Sequence, residues 1–367
     1  MSQPVPGIRA EGLSKEFVRR SRWFSPPQRT VAVENLSFRI EPGEFVGFLG
    51  PNGAGKSTTI KKLVGILHPI GGRVTVNGLS PQRERIELVR SLGIVFGQRS
   101  QLWWDLPLRE SFEILRALYR IPASAYRVRR ARLVDLLELA PLLDQPVRQL
   151  SLGQRMRGEL AGALLHSPPV LFLDEPTIGL DIAVKSSLRH FLRQINREDG
   201  VTILLTTHDM SDVEQLCSRM LVINHGRKVF DGARAELEAA VGVPHAVEVS
   251  FENPPRLEGW TPPPTVAMQA TGTDTFLVEF NRERISLAQV LEELRTLGTI
   301  RDLALKEPSL DRVIRNSIDP GGIRPGLPGA GPVHRHAGTN GKKIGINTRL
   351  RQNISTVSGI PSLKKSL

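Results

Sequence analysis

The feature that most constrains this chain is a glycine-rich loop at residues 50–57, which read Gly-Pro-Asn-Gly-Ala-Gly-Lys-Ser. The mostly apolar run 44–49 precedes it, and the helix-compatible run 58–64 follows it. In this strand-to-helix setting the pattern is typical of a loop whose backbone N–H groups surround phosphates. Lys56 would add a positive charge for the terminal phosphates, and Ser57 would offer a hydroxyl to Mg²⁺. A chance glycine-rich turn would require neither flank, so we expect a nucleotide site.

Two carboxylates, Asp174 and Glu175, directly follow the apolar run 170–173. Such a run is typical of a strand buried on both faces of a parallel sheet, and α/β proteins bind ligands where these strands end. We expect Asp174 to hold Mg²⁺ and Glu175 to accept a proton from the attacking water. The alternative, helix-capping acids before Pro176, explains the break in the chain but not the four apolar residues.

Two further predicted strands end in candidate polar groups. His208 follows the apolar run 201–205, so we expect it at the same sheet edge, near the terminal phosphate. Gln98 follows the run 93–97 in the same way. Taken alone, each residue is equally typical of an ordinary loop.

Residues 150–154 read Leu-Ser-Leu-Gly-Gln and predict the start of a helix. Ser151 suits the capping position, and Gly153 permits close approach of the backbone. By itself this segment would be an ordinary capped helix. Its position in the chain, between the phosphate loop and the strand that leads to Asp174, favours a functional role.

The four motifs, in this order, resemble the ATPase subunit of an ABC transporter. Residues 150–154 are similar to that family's signature Leu-Ser-Gly-Gly-Gln, with Leu152 where glycine is usual. The resemblance covers about residues 8–240. It implies that two copies, identical or related, clamp head to tail, with each ATP held between one copy's phosphate loop and the other copy's signature.

The resemblance also implies a role for each candidate residue. Glu175 and His208 would be catalytic, and Ser57, Gln98 and Asp174 would hold Mg²⁺. The implied ATP-binding set comprises Phe17 for adenine stacking, the loop residues Gly50, Pro51, Asn52, Gly53, Ala54, Gly55, Lys56, Ser57 and Thr58, then Gln98, the signature residues Ser151, Gly153 and Gln154, and Asp181 in a loop that crosses the dimer interface.

Residues 96–107 and the signature resemble the ABC-2 subgroup of sodium-exporting and drug-exporting ATPases. This predicts an ATP-hydrolysing subunit that powers a separately encoded permease, acts as a homodimer and lies peripherally at the cytoplasmic face of the cell membrane. Trp103 and Trp104 would either dock the permease or seal a seam between subdomains. The alternatives in function are an importer ATPase and a soluble ABC ATPase that acts on nucleic acid or the ribosome.

The fold class predicted is α/β: an ABC cassette with a mixed sheet core and a helical subdomain, followed by a small α+β domain. We place the cassette at 1–243, its helical subdomain at about 99–160 within a helical stretch near 106–140, the small domain at 244–318 and a disordered basic tail at 319–367. We find no signal-peptide pattern and no apolar run of about 18–20 residues that would span a bilayer. The single cysteine, Cys217, excludes a disulfide framework.

The formal net charge of +12 is concentrated in the tail. Residues 320–367 hold eight basic residues and no acidic one, which leaves +4 for residues 1–319. The body of the chain is therefore only mildly basic, and we expect no specific nucleic-acid partner.

Overall fold

The computed structural model describes residues 7–19, 28–97, 99–241, 245–257, 260, 262–263, 266–280, 284–306 and 314. The strands in these ranges are β1 (Ile8–Arg19), β2 (Gln28–Ile40), β3 (Phe45–Leu49), β4 (Gly71–Val76), β5 (Leu92–Phe96), β6 (Val170–Asp174), β7 (Thr202–Thr206), β8 (Arg219–Asn224), β9 (Arg227–Gly232), β10 (His245–Phe251), β11 (Val266–Ala270), β12 (Thr275–Phe280) and β13 (Ile300–Lys306). The helices are α1 (Lys56–Leu63), α2 (Arg85–Arg90), α3 (Leu108–Leu118), α4 (Ala123–Leu136), α5 (Leu152–Leu164), α6 (Ile182–Asp199), α7 (Met210–Leu216), α8 (Arg234–Val241) and α9 (Leu287–Arg295).

A six-stranded sheet with the order β5-β6-β7-β3-β8-β9 forms the centre of the fold. Its strands pair in parallel except for β9, which runs antiparallel to β8. Every residue of β3 and β7 is buried, as expected for strands covered on both faces. The apolar runs that the sequence shows at these positions are therefore the inner strands of a parallel sheet.

Two apolar layers cover this sheet. On one side the antiparallel sheet β2-β1-β4 shares a core with it, in which Ile8 and Leu13 meet Phe48 and Phe172. On the other side α3, α4, α5 and α6 pack their apolar faces against the sheet. The helical stretch predicted near 106–140 is two helices, because Pro122 stands at the N-cap of α4 and cannot continue α3.

Residues 245–306 contain a second antiparallel sheet with the order β11-β12-β10-β13. Alternate residues of β10 pack with the buried side of α9, and α9 begins at a capping box formed by Ser286 and Gln289. This agrees with a small α+β region after the main sheet. The predicted boundary at 243–244 and the predicted disordered tail at 319–367 lie outside the described residues, and the limits of the helical subdomain remain a prediction.

No helix in the described ranges is both long enough and apolar enough to cross a bilayer. The longest is α6, with 18 residues, and it includes several charged ones.

Helix α1 carries a lysine inside the core between the two sheets. Lys62 is 0% exposed, and its Nζ donates a hydrogen bond to the Ser14 carbonyl oxygen at 2.7 Å. Burial, assisted by the nearby charge of Lys15, lowers the pKa of Lys62 from 10.5 to about 8. Lys62 therefore binds its proton less tightly in the folded protein than in the unfolded chain.

That difference predicts how stability varies with pH. Between pH 8 and 10.5 the unfolded chain binds more protons at Lys62 than the folded protein does, so this group makes the fold more stable as pH rises. We expect the wild-type free energy of unfolding to gain about 1–3 kcal/mol relative to Lys62→Met across this window. Urea unfolding at several pH values measures it, with Lys61→Met as the control, and parallel curves for wild type and Lys62→Met would contradict it.

Candidate functional site

The strand order brings the predicted motifs to one edge of the central sheet. Strands β3, β7, β6 and β5 are consecutive neighbours, and they run in the same direction. Their carboxyl ends lead into the glycine-rich loop, His208, the pair Asp174 and Glu175, and Gln98. Gln98 itself lies outside the described residues, so its predicted role remains a prediction.

The glycine-rich loop joins β3 to α1 and is shaped by glycines with positive φ. Gly50, Gly53 and Gly55 have φ values of 150°, 80° and 106°. A Cβ atom at Gly50 would collide with the Ile223 carbonyl oxygen, and one at Gly55 with the Ala32 carbonyl oxygen, whereas a Cβ at Gly53 would meet nothing within 4 Å. Two glycines are therefore required by both conformation and space, and the third by conformation alone.

Lys56 folds back over this loop. Only 7% of the residue is exposed, and its Nζ donates hydrogen bonds to the carbonyl oxygens of Gly50 at 2.6 Å and Pro51 at 3.2 Å. Burial lowers the pKa of Lys56, while the charges of Glu175 and Asp174 oppose that shift. The ammonium group is thus held at the mouth of the loop and faces two carboxylates. Of the remaining loop residues, Asn52 and Ser57 are exposed, Ala54 is buried and Thr58 is half-buried.

Asp174 ends β6 beside the loop. Its Oδ1 accepts a hydrogen bond from Thr206 Oγ1 at 2.5 Å, and Thr206 is its partner residue on the adjacent strand β7. Asp174, Glu175 and Ser57 line one cavity of about 250 Å³, together with Arg99. The structure therefore brings the predicted metal ligands Ser57 and Asp174 together.

Glu175 and His208 are in direct contact. The distance between Glu175 Oε1 and His208 Nε2 is 2.9 Å. Glu175 has a φ of 57°, a conformation that side chains other than glycine rarely adopt, and its N–H donates to the Thr206 carbonyl oxygen at 2.9 Å. Both residues also line a second cavity of about 550 Å³. Glu175 therefore lines both cavities. Strained backbone of this kind is often found at functional residues.

The signature residues begin α5 as the sequence predicts. The Gln154 N–H donates to Ser151 Oγ at 3.2 Å, and the Ser151 N–H donates to Gln154 Oε1 at 2.8 Å. A Cβ at Gly153 would lie 3.1 Å from Val184 on α6. The helix α6 is capped in turn by Asp181, whose Oδ1 accepts from the Val184 N–H at 2.9 Å. The signature and the loop at 179–181 therefore share one surface.

Only part of that surface reaches the cavities at the sheet edge. Ser151, Gly153 and Gln154 line neither cavity, whereas Gly179 of the adjoining loop lines the second one. Phe17 lies on β1 with 42% of its surface exposed, and the Lys15 Nζ sits 5.4 Å from its ring centre. It lines neither cavity, and its predicted adenine contact remains a prediction.

Sequence reasoning missed the polar groups that hold the site residues in place. Thr206 supports Asp174, and Lys185 Nζ pairs with Asp209 Oδ2 at 2.6 Å beside His208. Knowledge of the strand order would have revealed Thr206, because it stands opposite Asp174 in the ladder. No sequence pattern links Lys185 to Asp209.

A phosphate loop, paired carboxylates and a histidine at one edge of a parallel sheet define a P-loop nucleotide hydrolase. The family model described as ABC transporter matches residues 33–178. The chain is 38% identical over 256 residues to Nod factor export ATP-binding protein I of Burkholderia pseudomallei (strain 1710b), which covers 70% of this chain and 83% of that protein. It is 33% identical over 218 residues to the ABC transporter ATP-binding protein NatA of Bacillus subtilis (strain 168), covering 59% of this chain and 88% of NatA.

Solved structures agree with these relatives. A dimeric ATP-binding cassette in a post-hydrolysis state, bound to ADP and Pi, matches with 26% identity and a TM-score of 0.55 over 62% of this chain and 98% of its own. The protein cbiO1 of Clostridium perfringens, part of the ABC transporter complex cbiONQ, matches with 30% identity and a TM-score of 0.55 over 64% and 91% of the two chains. The chain belongs to the ATP-binding subunits of ABC transporters, a family of ATPases. It is homologous to their export-type members.

The loop geometry predicts unequal costs for three glycine substitutions. Gly50→Ala and Gly55→Ala each add a collision with a backbone carbonyl to the cost of positive φ, so each should lower the free energy of unfolding by about 3 kcal/mol or more. Gly53→Ala carries only the cost of positive φ, about 1–2 kcal/mol. Urea unfolding and equilibrium ATP binding test this ranking. If Gly53→Ala and Gly55→Ala lower the free energy of unfolding equally, the collision with the Ala32 carbonyl oxygen does not contribute to the cost.

Proposed function

We propose that this chain hydrolyses ATP as a homodimer and thereby drives a separately encoded export permease from the cytoplasmic face of the membrane. The observation that carries the catalytic part is the 2.9 Å contact between Glu175 and His208 next to the cavity of the glycine-rich loop. A carboxylate at this position can take a proton from water. A histidine bound to that carboxylate can hold the carboxylate in place.

Lys56 and the loop amides bind the phosphates in this proposal. An entering phosphate group would replace the carbonyl oxygens of Gly50 and Pro51 as the partner of the Lys56 ammonium. The positive end of α1 and the inward N–H groups add to that attraction. Phe17 would stack on the adenine ring through its exposed face.

The donor set next to the loop fits Mg²⁺. Ser57 and Asp174 offer a hydroxyl and a carboxylate oxygen in one cavity, and Thr206 occupies only one of the two Asp174 oxygens. Oxygen ligands in small number suit this ion, which keeps several waters when it binds with a nucleotide. When bound, Mg²⁺ would neutralise charge on the β- and γ-phosphates. Gln98 is the third ligand that we propose.

During hydrolysis Glu175 would accept the proton of the attacking water, and His208 would stay bound to Glu175 and reach the γ-phosphate. His208 is exposed enough to do so, with 46% of its side chain accessible. Lys185 and Asp209 form an ion pair in the second cavity, which His208 also lines.

The proposed dimer rests on where the glycine-rich loop and the signature residues lie in one copy. The chain has one glycine-rich loop and one signature, and the signature residues line neither cavity next to that loop. A second copy, placed head to tail, would bring its Ser151, Gly153 and Gln154 onto the bound ATP and its Asp181 across the interface. The dimeric state of a related cassette bound to ADP and Pi supports this arrangement.

The export permease is proposed on two grounds. Two relatives are named for export or transport, Nod factor export ATP-binding protein I and NatA. Trp103 and Trp104 are 38% and 52% exposed, so they present aromatic surface instead of filling a seam, which favours the docking interpretation over the packing one. A peripheral position at the membrane then follows from binding to the permease.

Removing the proposed base should separate binding from hydrolysis. Glu175→Gln should lower steady-state ATP hydrolysis by at least about 100-fold while ATP affinity is retained, because only the proton acceptor is lost. Lys56→Ala should weaken ATP binding itself. Hydrolysis assays and equilibrium binding decide it, with the exposed Glu87→Gln as the matched control. Hydrolysis by Glu175→Gln close to that of the control would reject this base.

Mixing two inactive variants tests the shared site. Lys56→Ala removes the loop lysine, and Ser151→Arg blocks the signature, so each homodimer lacks a complete site. A mixed dimer restores one site made of an intact loop and an intact signature, and we expect partial ATP hydrolysis from the mixture alone. Full specific activity of dilute wild-type monomers would disprove the head-to-tail dimer, since dilution must lower the activity of a dimeric form.

A further inference from the structure

Helix α5 contains a buried carboxylate that the proposed hydrolysis does not use. Glu159 is 4% exposed, two turns beyond the signature. Its Oε1 accepts a hydrogen bond from the Ser100 hydroxyl, and its Oε2 accepts one from the Gln101 N–H at 3.1 Å. The Gln101 Nε2 donates back to the Glu159 carbonyl oxygen at 2.8 Å. The carboxylate therefore binds a segment that follows Gln98 in the chain.

This segment, residues 100–104, is called here the tryptophan segment, and it lies along α5 at two other points. Glycines at 158 and 162 let Leu102 approach, since a Cβ at either would lie within 3.5 Å of its methyl groups. Nearer the signature, the Arg155 guanidinium stands 5.6 Å from the centre of the Trp104 ring. The segment is thus attached to the helix along two turns of its length.

Among these contacts the carboxylate is the directional one. Apolar packing at Leu102 tolerates sliding, whereas a buried carboxylate must keep its donors or bear the full cost of desolvation. Burial raises the pKa of Glu159, and the hydrogen bonds from Ser100 and Gln101 oppose the shift. The hydrogen-bond partners of this buried carboxyl group are therefore kept only while the tryptophan segment stays in register with α5.

We propose that Glu159 is a positioning residue that locks the tryptophan segment to the signature helix, so that movement of Ser151 is transmitted to Trp103 and Trp104. This rests on the proposed function, in which ATP brings the signature of one copy onto the loop of another. The position of the exposed tryptophans then depends on whether ATP is bound to the signature. A partner bound to the tryptophans would in turn shift Ser151 through the contacts of Glu159.

The two tryptophans provide the measurement. A parent protein with Trp23→Phe, Trp260→Phe and Glu175→Gln keeps Trp103 and Trp104 as its only tryptophans and retains bound ATP. MgATP should change its fluorescence. Adding Glu159→Gln keeps the size of the side chain but removes the charge, and the ATP-induced change should fall at least about threefold while the ATP dissociation constant stays within about twofold.

A control at another ion pair of α5 separates this role from general stability. Arg157 of α5 forms an ion pair with Glu138 at 2.9 Å, away from the tryptophan segment. Glu138→Gln should leave the ATP-induced fluorescence change intact. An unchanged amplitude in Glu159→Gln, or a parent that binds ATP without any fluorescence change, would overturn the lock. A parent that binds no ATP would instead reject the proposed function on which the lock depends.

A second variant guards against misfolding of Glu159→Gln. Ser100→Ala removes one donor from outside the helix and should reduce the same amplitude, and the double variant should lose no more than Glu159→Gln alone because both act through one contact. Hydrogen exchange at the Gln101 amide should accelerate by about tenfold in Glu159→Gln, as expected when a charge-assisted hydrogen bond is lost. Additive losses, or unchanged exchange at Gln101, would contradict the proposal.

Discussion

The whole site depends on the parallel pairing of four adjacent strands, β5, β6, β7 and β3. Parallel strands need cover on both faces, and here one face is covered by the sheet β2-β1-β4 and the other by helices. With both faces closed, the carboxyl edge is where polar loops from adjacent strands converge. Because β3, β7, β6 and β5 are neighbours, the glycine-rich loop, the histidine and the carboxylates emerge side by side. The order of the parallel strands therefore decides which candidate site residues lie together at this edge.

Three buried ionisable side chains lie in the elements around that edge. Lys56 is held by carbonyl oxygens of its own loop, and Lys62 by a carbonyl of β1. Glu159 is held by a hydroxyl and an N–H of the tryptophan segment. Each charge needs its partners because water is excluded. In the proposed function Lys56 would exchange its carbonyl partners for phosphate, whereas the partners of Lys62 and Glu159 belong to neighbouring elements of the fold.

A single copy has two candidate functional surfaces, which adjoin where Gly179 lines the second cavity. One is the sheet edge with its two cavities, and the other carries Ser151, Gly153 and Asp181, where α5 and α6 begin. The contact between Gly153 and Val184 makes the second surface one unit. In the proposed head-to-tail dimer, the signature of one copy would meet the glycine-rich loop of the other across ATP. The tryptophan segment lies along α5 and carries the exposed Trp103 and Trp104, which is the physical basis of the proposed communication with a membrane partner.

Local chemistry was readable from the sequence wherever neighbouring residues decide the outcome. The glycine-rich loop between β3 and α1 and the Ser151 cap follow from conformational preference and periodicity over short stretches. The sequence predicts one helical stretch near 106–140 and does not reveal the break at Pro122. Apolar runs such as β6 and β7 look alike in sequence, so they do not reveal which strand pairs with which.

The tertiary structure alone decided the contacts that join distant parts of the chain. Thr206 meets Asp174, Lys185 meets Asp209, and Glu159 meets Ser100 only because strand order and helix packing place them together. The physical reason is that such pairs depend on the free energy of closing the whole core, to which residues far apart in sequence contribute together. The sequence by itself thus determined the reactive groups and the local shape of their loops, and the fold decided their supports and their connection to the rest of the protein.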